Sequence, residues 1–262
     1  MQFEERWFEA DGKRLEGLVV RPSAESTLDR AILLLHEGLG CVSLWRDFPQ
    51  KVCERTRLPV IVYSRAGYGR SDTIELPRPL DYMQREGRDV VGAVLDQCGV
   101  TDAMLVGHSD GGSIALAHSA LSDPNRRVRS MVLLAPHVVC EDLSVQSIAR
   151  AKLQYEQGDL RDKLARHHTN VDVAFWGWNR AWLDPDFMRW TLVPLLPLVH
   201  STIVVLQGED DPYGTLEQVN LLERGLSPDC QLRKVIIPKT GHAPWRERPE
   251  ETLEEIARLT RL

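Results

Sequence analysis

What this 262-residue chain lacks narrows its function before any motif is read. Cysteine occurs only five times. Cys41, Cys53, Cys98, Cys140 and Cys230 are odd in number, scattered and without a C-x-x-C pair, which argues against a disulfide framework and for a reducing compartment. Most are expected to be buried small hydrophobes, with Cys41 near enough to the site described below to touch it. No apolar run approaches the length of a membrane span. The opening Met1-Gln2-Phe3-Glu4-Glu5-Arg6-Trp7 carries neither a cationic leader nor the apolar stretch of a signal peptide. The expectation is a cytoplasmic protein with no membrane partner. Positive charge is in deficit, 32 Lys and Arg against 38 Asp and Glu, and no basic run is interleaved with aromatics. Phosphate binding needs a basic surface, so a nucleic-acid partner is excluded. His167-His168 has no helical i, i+4 companion, so no metal site is expected. There is no convincing internal repeat. Hydrophobic (43%) and charged (27%) content are ordinary for a globular protein, and the length suits one large α/β domain or two small ones.

What is present centres on Val106-Gly107-His108-Ser109-Asp110-Gly111-Gly112. The apolar run 103–106 leads in, and the small-residue, alanine-rich stretch 113–120 leads out, which reads as strand, tight turn and helix with Ser109 at the apex. Glycine is needed at 107 and 111 because a side chain would crowd the turn or block the close helix–strand approach. The hydroxyl would stand at a helix N-terminus, whose free N–H groups favour developing negative charge.

In this G-x-S-x-G elbow and its strand-before, helix-after context the chain resembles the α/β-hydrolase fold family, serine hydrolase branch with a helical cap. The resemblance spans nearly the whole chain and is least specific in the cap. It implies the order serine, acid, histidine, which the sequence supplies. The apolar segment 201–206 ends in Gln207-Gly208-Glu209-Asp210-Asp211-Pro212, and 232–237 ends in Pro238-Lys239-Thr240-Gly241-His242-Ala243-Pro244. The family spacing after the glycine selects Asp211 over its neighbours Asp210 and Glu209, and His242 is the expected base. The resemblance also implies an oxyanion hole from the N–H of Asp110 and from that of Gly38 or Leu39 in His36-Glu37-Gly38-Leu39-Gly40. Glu37 departs from the family there, standing where glycine is common, and His36 is expected to brace the loop. The Asp110 side chain has two open readings: contact with or repulsion of substrate groups, or a buried hydrogen-bond network.

Strands are expected near 3–9 and 15–21, a hairpin across Asp11-Gly12, and at 32–35, 60–63, 103–106, 131–134, 201–206 and 232–237. Helical spacing runs over 82–98, with Val90, Val91, Val94 and Leu95 on one face, and the last two helices read at 216–224 and 249–259. The glycine-punctuated loop 64–72 is also typical of the family. The fold class is therefore α/β, a mostly parallel central sheet of about eight strands flanked by helices, with a helical cap inserted after the sixth strand. The core would comprise 1–137 and 200–262, and the cap or lid subdomain 138–199. Within the cap, 144–157 and 160–168 look helical. Phe175, Trp176, Trp178, Trp182, Phe187 and Trp190 then crowd together. Most such aromatics glue cap to core, but rigid aromatic walls also form apolar ligand sites. One or two of Trp176, Trp178 and Trp182 are expected to face substrate, with Trp45 and Trp245 further pocket residues.

The implied activity is cleavage of a small ester, thioester or lactone with an apolar or aromatic acyl part, through an acyl-enzyme and without metal or organic cofactor. Alternatives stay open. The same triad can hydrolyse a carbon–carbon bond in ring-fission products, for which Arg65 or Arg180 would bind the substrate carboxylate. The fold also serves as a ligand receptor or a cofactor-free oxygenase. A homo-oligomer is left open.

Overall fold

Strands that are apolar at every position need cover on both faces. In the computed structural model, which describes residues 1–261, alternate side chains of each central strand enter two separate cores. In β3 (Arg30–Leu35), Ala31, Leu33 and Leu35 join one core while Ile32 and Leu34 join the other. The sheet has eight strands in the order β1-β2-β4-β3-β5-β6-β7-β8. β1 (Gln2–Ala10) and β2 (Lys13–Arg21) are antiparallel, turning at Asp11 and Gly12, both at positive φ. β2 pairs antiparallel with β4 (Val60–Tyr63). From β4 onward the pairing is parallel through β3, β5 (Asp102–His108), β6 (Val128–Leu134), β7 (Thr202–Gly208) and β8 (Leu232–Ile237). The strand order reverses between β3 and β5, and such a switch point opens a crevice beyond the carboxyl ends of the strands.

Helices cover each face with their apolar stripes. On one side α1 (Phe48–Thr56) contributes Phe48, Val52 and Cys53, facing core residues from the C-terminal helix described below. On the other, the expected helix over 82–98 is split. α2 (Tyr82–Arg85) and α3 (Val91–Gln97) are joined by a π-helical turn, Glu86–Val90. The turn falls where Gly87 meets α4 (Asp110–Leu121): a Cβ on Gly87 would lie 2.7 Å from the His118 nitrogen and 2.8 Å from the Ile114 oxygen. The His118 ring bonds back to the Gly87 carbonyl at 2.8 Å. Backbone contact that close is not visible in apolar spacing.

Between β6 and β7 lies the helical insertion, α5 (Asp142–Gln157), α6 (Leu160–Ala165) and α7 (Val171–Trp182). Its one strand-like feature is an isolated bridge between Val139 and Thr191. α7 is capped by Asn170, whose side chain accepts from the Val173 N–H, and it buries Val171, Ala174, Phe175, Trp178, Ala181 and Trp182. That spacing is the one-sided helical stripe. Phe175 stacks on Tyr155 of α5 with centroids 3.7 Å apart. The chain closes with α8 (Glu217–Gly225), α9 (Pro244–Glu247) and α10 (Pro249–Leu259), whose Leu253, Ile256 and Leu259 face α1. Among the described residues no helix is long and apolar enough to cross a membrane.

Candidate active site

Ser109 stands at the end of β5 with φ 53° and ψ −118°, a left-handed conformation costing roughly 1–3 kcal/mol in a non-glycine residue. The surrounding glycines impose it. A Cβ on Gly107 would sit 2.3 Å from the Gly111 oxygen, and one on Gly111 would sit 2.0 Å from the Leu35 oxygen. The second contact draws the start of α4 onto the end of β3, and so brings residues 36–40 beside Ser109. A third crossing of this kind joins the ends of β7 and β8, where a Cβ on Gly208 would lie 2.1 Å from the Gly241 oxygen.

Asp211 is buried, whereas Glu209 and Asp210 are exposed. His242 Nδ1 lies 2.9 and 2.8 Å from the two Asp211 carboxylate oxygens. Gln207 Nε2 and the Tyr213 N–H donate to the same carboxylate at 2.7 and 2.8 Å. Burial opposes ionisation of Asp211, but His242 and the bonds from the ring and from Tyr213 outweigh it and hold the carboxyl below its usual range. With Nδ1 engaged, His242 turns Nε2 away from Asp211. Ser109 and His242 line one cavity of about 200 Å³, and among the described residues Ser109 Oγ has no hydrogen-bond partner.

The loop after β3 supplies the next wall. Its turn is closed by Gly40 N–H to the Glu37 carbonyl at 3.0 Å. The N–H groups of Gly38, Leu39 and Asp110 have no acceptor among the described residues, and all three residues line the cavity. His36 Nε2 accepts from the Arg65 backbone N–H at 3.0 Å, so its Nδ1 carries the proton and donates to the Glu37 carbonyl at 2.7 Å. The Arg65 guanidinium donates to that carbonyl too, at 2.8 Å. The Glu37 side chain is folded back over Gly40, where a Cβ would meet its carboxylate at 2.4 Å, and it lies 3.5 Å from His108.

Asp110 is in a buried network: Oδ2 accepts from the Tyr82 hydroxyl and, at 3.4 Å, from Arg65, while Trp182 Nε1 donates to the Tyr82 oxygen at 3.0 Å. Its Oδ1 is buried without a partner among the described residues. Arg65 is committed inside this network, and Arg180 lies outside on the cap, its guanidinium 5.0 Å from the Trp176 ring centre. Neither lines the cavity.

The expected pocket tryptophans separate. Trp178 and Trp182 line the cavity, whereas Trp176 faces a groove on the outside of the cap with Lys152 and Arg180. Trp45 and Trp245 are not in the wall: they pack against each other with centroids 4.8 Å apart, and both pack on Phe48 in the core under α1 and α10. Ala243 and Arg246, on either side of Trp245, reach the site, while both rings turn inward to cover apolar sheet. Trp245 touches the site only through its N–H, which donates to His108 at 3.2 Å. Cys41 is likewise sealed away, beside Ser43 and the His167 carbonyl.

Sequence reasoning missed Ile148, Tyr213, Arg246 and above all His137. His137 follows β6 directly, and its ring lies 4.9 Å from Trp182 and 5.7 Å from His242. Burial, helped by the nearby His242, pushes it down to about 4, so it is neutral at pH 7. Its signal was available: Leu134-Ala135-Pro136-His137 ends a central strand, as the elbow, acid and base segments do. A larger hollow of about 520 Å³ sits at the opposite ends of the strands, lined by Arg30, Asp102 and Arg129, away from these groups.

A doubly wound sheet that gathers an elbow serine, an acid and a histidine at strand ends beneath a helical insertion has the architecture of the capped α/β hydrolases. The chain belongs to the Alpha/beta hydrolase family, whose profile matches residues 32–255. A curated relative named "Putative carbamate hydrolase RutD", from Azorhizobium caulinodans, is 39% identical over 103 residues. That match takes in 39% of this chain and 36% of the relative, so the chain matches little more than a third of its length. Among solved structures, the enol-lactonase from Burkholderia xenovorans LB400 superposes with a TM-score of 0.73 at 17% identity, covering 98% of this chain and 100% of that one. Naproxen esterase from Bacillus subtilis gives 0.72 at 14%, covering 98% and 91%. At these identities the likeness is one of fold.

Proposed function

We propose that the protein is a serine hydrolase of small esters, thioesters or lactones, working through an acyl-enzyme, with 138–199 as its cap. The observation that carries this is the Asp211–His242 pair opening onto the same cavity as a strained, unpartnered Ser109. Ser109 Oγ attacks the substrate carbonyl and its proton passes to His242 Nε2. Asp211 fixes the ring and stabilises its cationic form. The N–H of Asp110 and that of Gly38 or Leu39 donate hydrogen bonds to the developing oxyanion, at about 3–4 kcal/mol per donor. Collapse expels the alcohol or thiol with the proton from His242. Water, deprotonated by His242, then attacks the acyl carbon, and the acid leaves as Ser109 recovers its proton.

The cavity sets the substrate class. About 200 Å³ walled by Ile148, Trp178 and Trp182 suits a compact apolar or aromatic acyl group. The curated relative is named for carbamate hydrolysis, a carbamoyl transfer to water, which supports this reading. Neither Arg65 nor Arg180, the carboxylate partners expected for the carbon–carbon reading, reaches the cavity, and the arginine in its wall is Arg246. The test is intact mass spectrometry after a small fluorophosphonate. One adduct is expected on the wild type, none on Ser109→Ala, and sharply slower labelling of His242→Ala. A folded wild type that stays unlabelled overturns the proposal.

A further inference from the structure

Indole nitrogens in this molecule are accounted for, with one exception that matters to the site. Trp182 donates to Tyr82, Trp190 to Gln84 at 2.9 Å, and Trp245 to His108. Trp45 has no partner among the described residues and is sealed in apolar core. Trp7 lies on the edge strand, and Trp176 faces the outer groove. Trp178 differs from all of these: it is only 6% exposed and its Nε1–H has no acceptor among the described residues, yet that nitrogen is not sealed from solvent space, and the residue lines the cavity of Ser109.

The indole also lies against the oxyanion loop. A Cβ on Gly38 would be 2.2 Å from Trp178 Nε1 and 2.4 Å from its Cδ1, closer than any side chain could stand. Gly38 is not at positive φ, so its backbone does not demand glycine. The indole does. The N–H-bearing edge of Trp178 is thus brought down onto a residue that lines the same cavity and whose own N–H has no acceptor among the described residues. Such a tight fit could serve packing alone, but packing is indifferent to which edge of the ring points at the loop. Here it is the polar edge, against the loop proposed above to supply an oxyanion donor.

We infer that Trp178 Nε1–H is a third hydrogen-bond donor to the substrate oxyanion, so that the cap supplies a catalytic group as well as a wall. This rests on the acyl-enzyme reading above. The donor comes from α7, whose Trp182, one turn on, is tied through Tyr82 to Asp110. One cap helix therefore meets both halves of the oxyanion site.

The experiment compares wild type, Trp178→Phe and Gly38→Ala, using the ester found most active after fluorophosphonate labelling has established Ser109. Phe keeps an aromatic wall without the N–H, and Ala pushes the indole off the loop. For both, kcat is expected to fall between ~10- and ~100-fold with KM within a few-fold, because the bond is made in the transition state. The affinity of a trifluoromethyl ketone should fall in step with kcat/KM across the three proteins. A change confined to KM, or unchanged kcat in Trp178→Phe, overturns the inference. Should the variants fail to fold, the wild type decides: its Trp178 indole N–H proton resonance, assigned by triple-resonance NMR, should move downfield when the ketone adds to Ser109. No movement with Ser109 fully modified overturns the inference and leaves the acyl-enzyme reading standing. No modification of Ser109 at all removes both.

Discussion

Beneath the cavity, Ser109, Asp211 and His242 are held by backbone: each follows a parallel strand, and glycine crossings at Gly107, Gly111 and Gly208 leave the loops no room to shift. Above it, Trp178 and Trp182 are held by ring packing and by single hydrogen bonds such as that from Trp182 to Tyr82. A backbone crossing tolerates no substitution, whereas ring packing admits many solutions. The lower half of such a site is therefore fixed by the fold, and the upper half is where substrate preference can change at small cost in stability. The two halves should also fail differently when perturbed.

The largest expected effect lies in the lower half. Asp211→Asn keeps the shape but offers His242 Nδ1 an amide in place of a carboxylate, which can stabilise the wrong tautomer. By comparison with triads of this geometry, kcat should drop on the order of 10⁴-fold, or about 5 kcal/mol. KM and thermal stability should change little. A loss smaller than tenfold would mean that the pair is structural.

Acid should reach the buried histidines before it reaches the Asp211–His242 pair. His137, where β6 runs into the cap, has its native value lowered from 6.5 to about 4 by burial. Between those values the unfolded chain takes up a proton that the native protein does not, so stability falls as pH drops through this window, by up to about 3 kcal/mol. His118 and His168 are depressed too, again chiefly by burial, and add to the trend. Asp211, held below its ordinary 3.8, keeps its contribution through that window and loses it only in stronger acid. Thermal unfolding against pH should therefore show a shallower decline from 6.5 to 4 for His137→Asn than for wild type. Parallel curves would remove His137 from the account.

The lower half was legible in sequence for the reason it is rigid. A glycine that cannot be replaced and a polar residue that ends an apolar run are both local signals, and Ser109, Asp211 and His242 each carried them. Asp110 was legible only in part: its place beside the nucleophile is local, but its partners Tyr82 and Arg65 are 28 and 45 positions away. The π turn at 86–90 answers to a contact with α4 that apolar spacing does not encode. In the cap, composition announced an aromatic cluster without saying which rings would turn inward, and α7 went unread because tryptophans masked its stripe. Trp45 and Trp245 show the complementary error, since nearness in sequence to the loops of the site placed them in a wall they do not form.

That error yields the smallest and sharpest test, Trp45→Phe against Trp182→Phe. Both rings are 1% exposed, so burial does not distinguish them. Trp45→Phe loses ring volume, which costs about 1–3 kcal/mol in a packed core, but also removes a buried N–H without a partner, which offsets about 1–3 kcal/mol. The net change should be on the order of 1 kcal/mol or less, with no change in preference among acyl chain lengths. Trp182→Phe enlarges the cavity itself and takes from Tyr82 the donor that steadies it on Asp110. Its kcat/KM profile should shift toward larger acyl groups while activity on the smallest declines. Relative kcat/KM over a graded series of aryl esters reads both at once. A matching shift in Trp45→Phe would mean that the core under α1 and α10 is mechanically continuous with the pocket, and that the division between a fixed lower half and an adaptable upper half is drawn in the wrong place.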